Sequence, residues 1–257
     1  MEENMAQANL PGISGKSVIV TGGGSGIGAE IVRSFVMQGA RVGFIDRSRD
    51  AGHALAESLR GHDVDPIFCE LDLTDLDRLQ ATVPALIDRL GGADILVNNA
   101  ANDERHALGD ITPAYWRDRM AVNLDHFVFM AQAVLPAMER AGGGVILNMG
   151  SCSWRLGLGG MTAYVTAKAA IEGLTNGLAR ELGPRRIRVN CIVPGFVRTP
   201  RQVEKWLTPE LERIILEGQC LPDFIEPADV ANLVTFLASD WAKMCSSGTY
   251  PVDGGWI

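Results

Sequence analysis

Ser17-Val18-Ile19-Val20-Thr21-Gly22-Gly23-Gly24-Ser25-Gly26-Ile27-Gly28 is the stretch on which the reading of the fold turns. Five residues rich in β-branched side chains read as a buried strand, a glycine run follows without a gap, and Ile27–Gln38 has the apolar spacing of a helix. Working outward, Arg41–Asp46, Pro66–Leu71, Asp94–Asn98, Gly144–Met149, Arg188–Val193 and Thr249–Val252 read as further strands. Helical patterns fall between them at Ala51–Leu59, Asp75–Leu90, Trp116–Arg140, Thr162–Leu182 and Pro227–Ala238. Continuous apolar strands joined by helical crossovers predict an α/β fold, a single doubly wound, parallel seven-stranded sheet with helices on both faces. Such sheets bind ligands beyond the carboxyl ends of their strands. No shift in composition marks a linker, so 15–257 is expected to be one domain, with 1–14 a mobile N-terminal tail.

The composition narrows the function. Of 257 residues, 47% are apolar and 21% charged, which excludes a disordered or coiled-coil chain. Lys+Arg 23 against Asp+Glu 31 leaves a net charge of −8, which argues against a nucleic-acid partner. No run approaches the roughly 18 apolar residues of a membrane span, and the acidic start (Glu2, Glu3) is no secretion signal, so neither a membrane nor export is expected. Five scattered cysteines without a CxxC pair suit reduced thiols in the cytoplasm better than disulfides or a metal site.

Gly15-Lys16-Ser17 imitates the end of a P-loop, but it precedes its strand and Leu10 stands where the first glycine is required. The loop after the first strand is different. Its GxxxGxG spacing lets backbone turn tightly and approach a pyrophosphate, with the N–H groups of a helix start beneath it. An ordinary glycine-rich turn is the bland alternative. Asp46, ending the second strand, is placed to accept hydrogen bonds from an adenosine ribose and to repel a 2′-phosphate, which favours NAD; Arg47 beside it pulls the other way. Tyr164 and Lys168 lie at i and i+4 on one helix face. An ammonium beside a phenol lowers its pKa from about 10, which makes a general base. Alone, that pair matches many amphipathic helices.

Together these residues resemble the short-chain dehydrogenase/reductase family, whose fold is of the Rossmann type: Thr21–Gly28, Asn98-Asn99-Ala100, Asn123, Ser151, Tyr164, Lys168, Pro194-Gly195 and Asp253-Gly254-Gly255 occur in the family's order and spacing. The resemblance implies that Tyr164 is the base and that Lys168 tunes it and binds the nicotinamide ribose. It implies that Ser151 bonds the reacting oxygen and that Asn123 holds a water leading to Lys168. Gly22, Ser25, Gly26, Ile27, Gly28, Asp46, Asp72, Leu73, Asn99, Ala100, Pro194, Val197 and Thr199 are then expected to contact NAD. It also implies a homotetramer. Two departures stand out: Ala101 replaces a usual glycine, at a cost of roughly 1 kcal/mol if positive φ is needed there, and Gly150 replaces a frequent serine, expected to be neutral.

On the substrate side, Asn102–His106, Ser153–Leu158, Arg201-Gln202, Lys205–Glu210 and Tyr115-Trp116 are similar to bacterial NAD-dependent aldose 1-dehydrogenases. Short polar side chains for sugar hydroxyls and an aromatic face for C–H groups fit that likeness, with Asn102, Asp103, Arg105, Ser151, Trp154, Tyr164 and Arg201 as candidate contacts. The expected reaction is oxidation of a cyclic pentose such as D-xylose or L-arabinose at C1 to a lactone, without a metal. A reductase of a ketone or 3-oxoacyl thioester, and a cofactor-binding regulator without catalysis, are the alternatives.

Overall fold

The computed structural model describes residues 9–257. In chain order these are β1 (Ser17–Thr21), α1 (Gly26–Met37), β2 (Arg41–Asp46), α2 (Arg49–Ser58), β3 (Ile67–Glu70), α3 (Leu76–Leu90) and β4 (Ile95–Asn98). There follow α4 (Pro113–Met120), α5 (His126–Arg140), β5 (Gly144–Met149), α6 (Thr162–Leu182), β6 (Ile187–Pro194), α7 (Pro200–Lys205), α8 (Pro209–Gly218), α9 (Pro227–Ala238) and β7 (Thr249–Val252). The strands form one parallel sheet in the order β3-β2-β1-β4-β5-β6-β7, a doubly wound arrangement of the Rossmann type. The winding reverses between β1 and β4, so a crevice opens there above the strand ends.

Alternation along each strand sends its side chains to opposite layers. Val18 and Val20 of β1 join Val42, Phe44, Ile95 and Val97 against Ile31 and Phe35 of α1 and Val230 and Val234 of α9. Ile19 goes to the other face, with Ile45, Leu96 and Ile146, against Leu79 and Leu86 of α3 and Met130 and Val134 of α5. Both faces are thus closed by apolar helix stripes.

Three expectations need correction. Residues 10–13 are anchored: Ile13 is fully buried, the Leu10 N–H donates to Gln38 Oε1 at 2.8 Å, and the Asp240 N–H donates to Pro11 O. The part of the expected tail at 1–8 lies outside the described residues. The helix expected over 116–140 starts earlier, at Pro113, where the N-cap Thr112 accepts the Tyr115 N–H, and is interrupted by a wide π turn at Ala121–Asp125. Single wide turns of this kind relocate side chains at functional sites, and Asn123 sits in this one. Finally, α7 and α8 form in a segment where no helix was expected, each opened by a Thr-Pro pair whose threonine accepts a backbone N–H. No helix among the described residues is long and apolar enough to cross a membrane.

Candidate active site

The glycine loop is braced from β4. Thr21 Oγ1 accepts the N–H groups of Asn99 (2.9 Å) and Ala100 (3.1 Å), and Asn99 Nδ2 donates to the carbonyls of Thr21 (3.0 Å) and Gly22 (3.1 Å). The approach is so close that a Cβ on Gly22, whose φ is +64°, would lie 2.8 Å from Ala100 Cα. Asn99, expected to contact the cofactor, uses its side chain to lock the loop that would receive it. Helix α1 begins at Gly26, its N-cap Ser25 makes no side-chain cap, and its first turn carries no acidic residue. That combination leaves N–H groups and a partial positive charge facing the crevice, a fit for pyrophosphate. Asp46 accepts the Gly24 N–H (2.9 Å) and the Ser48 N–H (2.8 Å), which fixes its carboxylate at the loop's rim.

The rest of the rim comes from the end of β3, beside β2, and from β6 across the crevice. Burial pushes the Asp72 carboxyl up, but bonds from the Thr74 N–H and hydroxyl, with the charge of Arg47, leave it below its usual value. Leu73 turns its side chain into the core. After Pro194, Val197 is buried against the Ile225 segment, and Thr199 caps α7 with its methyl near Gly26.

Ser151, Tyr164 and Lys168 meet above β5. Lys168 is 1% exposed, and Nζ donates to Met149 O at 2.7 Å, 5.5 Å from the Tyr164 ring centre. Burial pushes Lys168 down to about 8. Burial and the negative charge of Asp103 push the Tyr164 phenol above its ordinary value, against a smaller pull from a hydrogen bond with Ser151. The YxxxK spacing predicts a lowered phenol; in this structure burial dominates instead, and the Lys168 ammonium is engaged by Met149 O. Asn123 Oδ1 accepts the Asn102 N–H at 2.8 Å, while Nδ2 donates to Asn102 O (3.1 Å) and Arg119 O (3.0 Å). Its side chain fixes the loop after β4, a task the sequence reading did not assign to it.

Of the substrate candidates, Asn102, Asp103 and Arg201 come together. Arg201 donates to Asp103 Oδ1 (2.8 Å) and Asn102 Oδ1 (3.3 Å), and Gln202 Nε2 donates to Asp103 Oδ2 (2.6 Å). Two do not join them. Arg105 is exposed and stacks on Trp206 at 4.4 Å, and the Trp154 indole N–H donates to Glu172 at 2.9 Å. Glu172, which also pairs with Arg155, was missed; it stands four residues after Lys168 and so on the same face of α6.

The two departures also resolve. Among the described residues only Arg186 and Ser247 have positive φ without being glycine, so Ala101 carries none of the anticipated strain. Gly150 is not a neutral site: a Cβ there would lie 2.8 Å from Cys191 Sγ and 3.2 Å from Ile192 O, in a buried strand end.

A family model described as enoyl-(acyl carrier protein) reductase matches residues 22–257. A D-xylose 1-dehydrogenase of Caulobacter vibrioides is 50% identical over 98% of this chain and 100% of its own. A "Probable galactose dehydrogenase" of Rhizobium meliloti is 41% identical over 98% of both chains. A solved 7α-hydroxysteroid dehydrogenase, complexed with NADH and 7-oxo glycochenodeoxycholic acid, superposes with a TM-score of 0.91 at 35% identity over 96% of both chains. The chain belongs to the short-chain dehydrogenase/reductase family. It is an oxidoreductase, and its family uses NAD or NADP.

Asn99→Ala should weaken cofactor binding by about tenfold, because removing the Nδ2 donor frees the Thr21 and Gly22 carbonyls and lets the left-handed turn at Gly22 move. Calorimetric titration with NADH checks this; an unchanged Kd would show that the brace is dispensable.

Proposed function

We propose that the protein oxidises the C1 hydroxyl of a cyclic aldose, a pentopyranose such as D-xylose or L-arabinose, to a lactone with NAD. The observation that carries the reading is the polar rim of Asn102, Asp103, Arg201 and Gln202 beside Ser151 and Tyr164. The likeness to relatives named as sugar dehydrogenases supports it. Work as a homotetramer in the cytoplasm belongs to the same reading.

Bound NAD supplies the hydride acceptor. Ser151 donates a hydrogen bond to the sugar's O1 and holds C1 in line. Tyr164 as phenolate takes the O1 proton while the C1–H bond gives up its hydride and the C1–O bond becomes the lactone carbonyl. Burial opposes both the lone phenolate and the lone ammonium. Proton abstraction needs the ionised phenol, so oxidation accelerates as pH rises toward the titration of Tyr164. Sugars are told apart by hydroxyls that meet the rim, since a site built to pair an OH discriminates against an analogue that lacks it.

Tyr164→Phe keeps the ring and removes the proton acceptor, so kcat should fall by about 100-fold or more with NAD affinity nearly unchanged. Steady-state rates alongside cofactor titration test this, and near wild-type turnover would refute the role. In the unmodified protein a 2′-phosphate would face the Asp46 carboxylate, so NAD should be preferred over NADP by roughly tenfold or better. Asp46→Ser should shrink that preference, with Arg47 close by to accept the phosphate; equal kcat/KM for both cofactors in the wild type would overturn it. Finally, D-xylose, L-arabinose and D-glucose should each be assayed against a secondary alcohol and a 3-oxoacyl thioester. Turnover of a pentose is expected, and activity on the last two with none on any aldose would transfer the site to the reductase reading.

A further inference from the structure

His106 lies in the loop after β4 and joins that loop to two other segments, the start of α6 and α4. Its backbone N–H donates to Gly160 O at 2.8 Å. Its Nε2 receives the Ala163 N–H at 3.3 Å. Its Nδ1 lies 3.0 Å from Tyr115 Oη of α4 and 3.3 Å from Glu104 O.

The contact to Ala163 stands out because of what α6 lacks. The helix starts at Thr162 behind Met161, whose side chain makes no cap, and an N-cap normally satisfies the N–H of the second or third helical residue. Ala163 is that second residue, and Tyr164 is the third. A backbone N–H can only donate, so Nε2 must keep its lone pair and the ring proton must sit on Nδ1, aimed at Tyr115 Oη or Glu104 O. The ring's surroundings thus define one tautomer.

We infer that His106 is a positioning residue: as a neutral imidazole with its proton on Nδ1, it caps from outside the helix that carries Tyr164 and Lys168, and ties that helix to the Asn102-Asp103 loop. This rests on the reading of Tyr164 and Lys168 as the reacting pair. The cap has a sign with pH. Protonating Nε2 sets a donor against the Ala163 N–H, so acid breaks the cap and basic pH keeps it. The charged and titratable groups around the ring are Glu104 on its own loop, Tyr115, Asp118 and Arg119 on α4, and Tyr164 on α6. Arg119 lies over the Tyr115 ring at 5.3 Å and pairs with both Glu104 and Asp118, which leaves one net negative charge in that cluster.

The test uses the full-length enzyme, NAD and D-xylose or whichever aldose is turned over, with His106→Phe and His106→Gln. Phenylalanine keeps the ring's bulk without an acceptor; glutamine carries Oε1 near the position of Nε2 and does not titrate in this range. His106→Phe should lower kcat by about tenfold, with KM and NADH affinity within about twofold, in line with a lost cap that displaces the base. His106→Gln should restore kcat to within about threefold of wild type and move the acid limb of its pH profile to lower pH. Amide exchange of residues 160–168 should quicken in His106→Phe and stay slow in His106→Gln. Wild-type kcat and exchange in His106→Phe would overturn the inference. So would a His106→Gln protein as slow as His106→Phe that keeps the wild-type acid limb. If His106→Phe does not fold, the rate and acid limb of His106→Gln decide alone. If no aldose is oxidised, the function proposed above fails while the exchange measurement still decides the cap.

Discussion

Thr21 and Asn99 stand at the carboxyl ends of β1 and β4, the two strands between which the winding of the sheet reverses. Four hydrogen bonds between them and their neighbours turn that geometric opening into a shaped cradle. Without the brace, the glycine run would be a loop of high entropy, because glycine has the most conformational freedom to lose. With it, Gly22 is held in the left-handed region against Ala100, and the start of α1 is aimed at the crevice. The rest of the site hangs from this seam. Asp46 is tied to the loop through Gly24, and Thr199 faces it at Gly26. The Asn102 backbone, three residues beyond Asn99, is pinned by Asn123.

Burial decides the electrostatics behind the seam. Lys168, His126 and Tyr164 all lie where desolvation dominates. Lys168 is pushed down to about 8 and His126 to about 4, while Tyr164 is pushed up. His126 is neutral at physiological pH and accepts or donates only as an imidazole, with Nε2 3.0 Å from Ala100 O. Each group resists charge, yet Lys168, held at about 8, keeps its proton at neutral pH while Tyr164 stays a phenol. That makes the proton state of Lys168 and Tyr164 sensitive to any further charge brought near, including the carboxylate of Asp103 at the rim.

What the sequence disclosed follows from how local each signal is. The bounds of β1, β2, β5, β7, α6 and α9 could be read directly, because period and caps lie within one short window. The placement of Ser151, Tyr164 and Lys168 on one strand end and one helix face was legible for the same reason. The π turn was not, since an inserted residue leaves the apolar spacing of 116–140 almost intact and the bonds that Asn123 makes from it to Asn102 span 21 positions. The pairing of Asp103 with Arg201 spans 98 positions and has no local trace at all. The basicity of Tyr164 was misjudged because spacing tells which groups are neighbours, whereas burial, a property of the whole fold, sets the dielectric between them. The Thr-Pro starts of α7 and α8 were visible signals that went unused.

Asp103 occupies the point where these constraints meet. Its carboxylate joins the loop after β4 to α7 through Arg201 and Gln202, and its charge acts on Tyr164 in α6. Held by two donors, it is partly neutralised and raises the phenol less than a bare carboxylate would. A sugar hydroxyl that displaces Arg201 or Gln202 from it would change two things at once, the hold on α7 and the field at the phenol. On the proposed aldose reading, recognition at the rim and the ionisation of Tyr164 would therefore be coupled, because the one carboxylate of Asp103 acts on both.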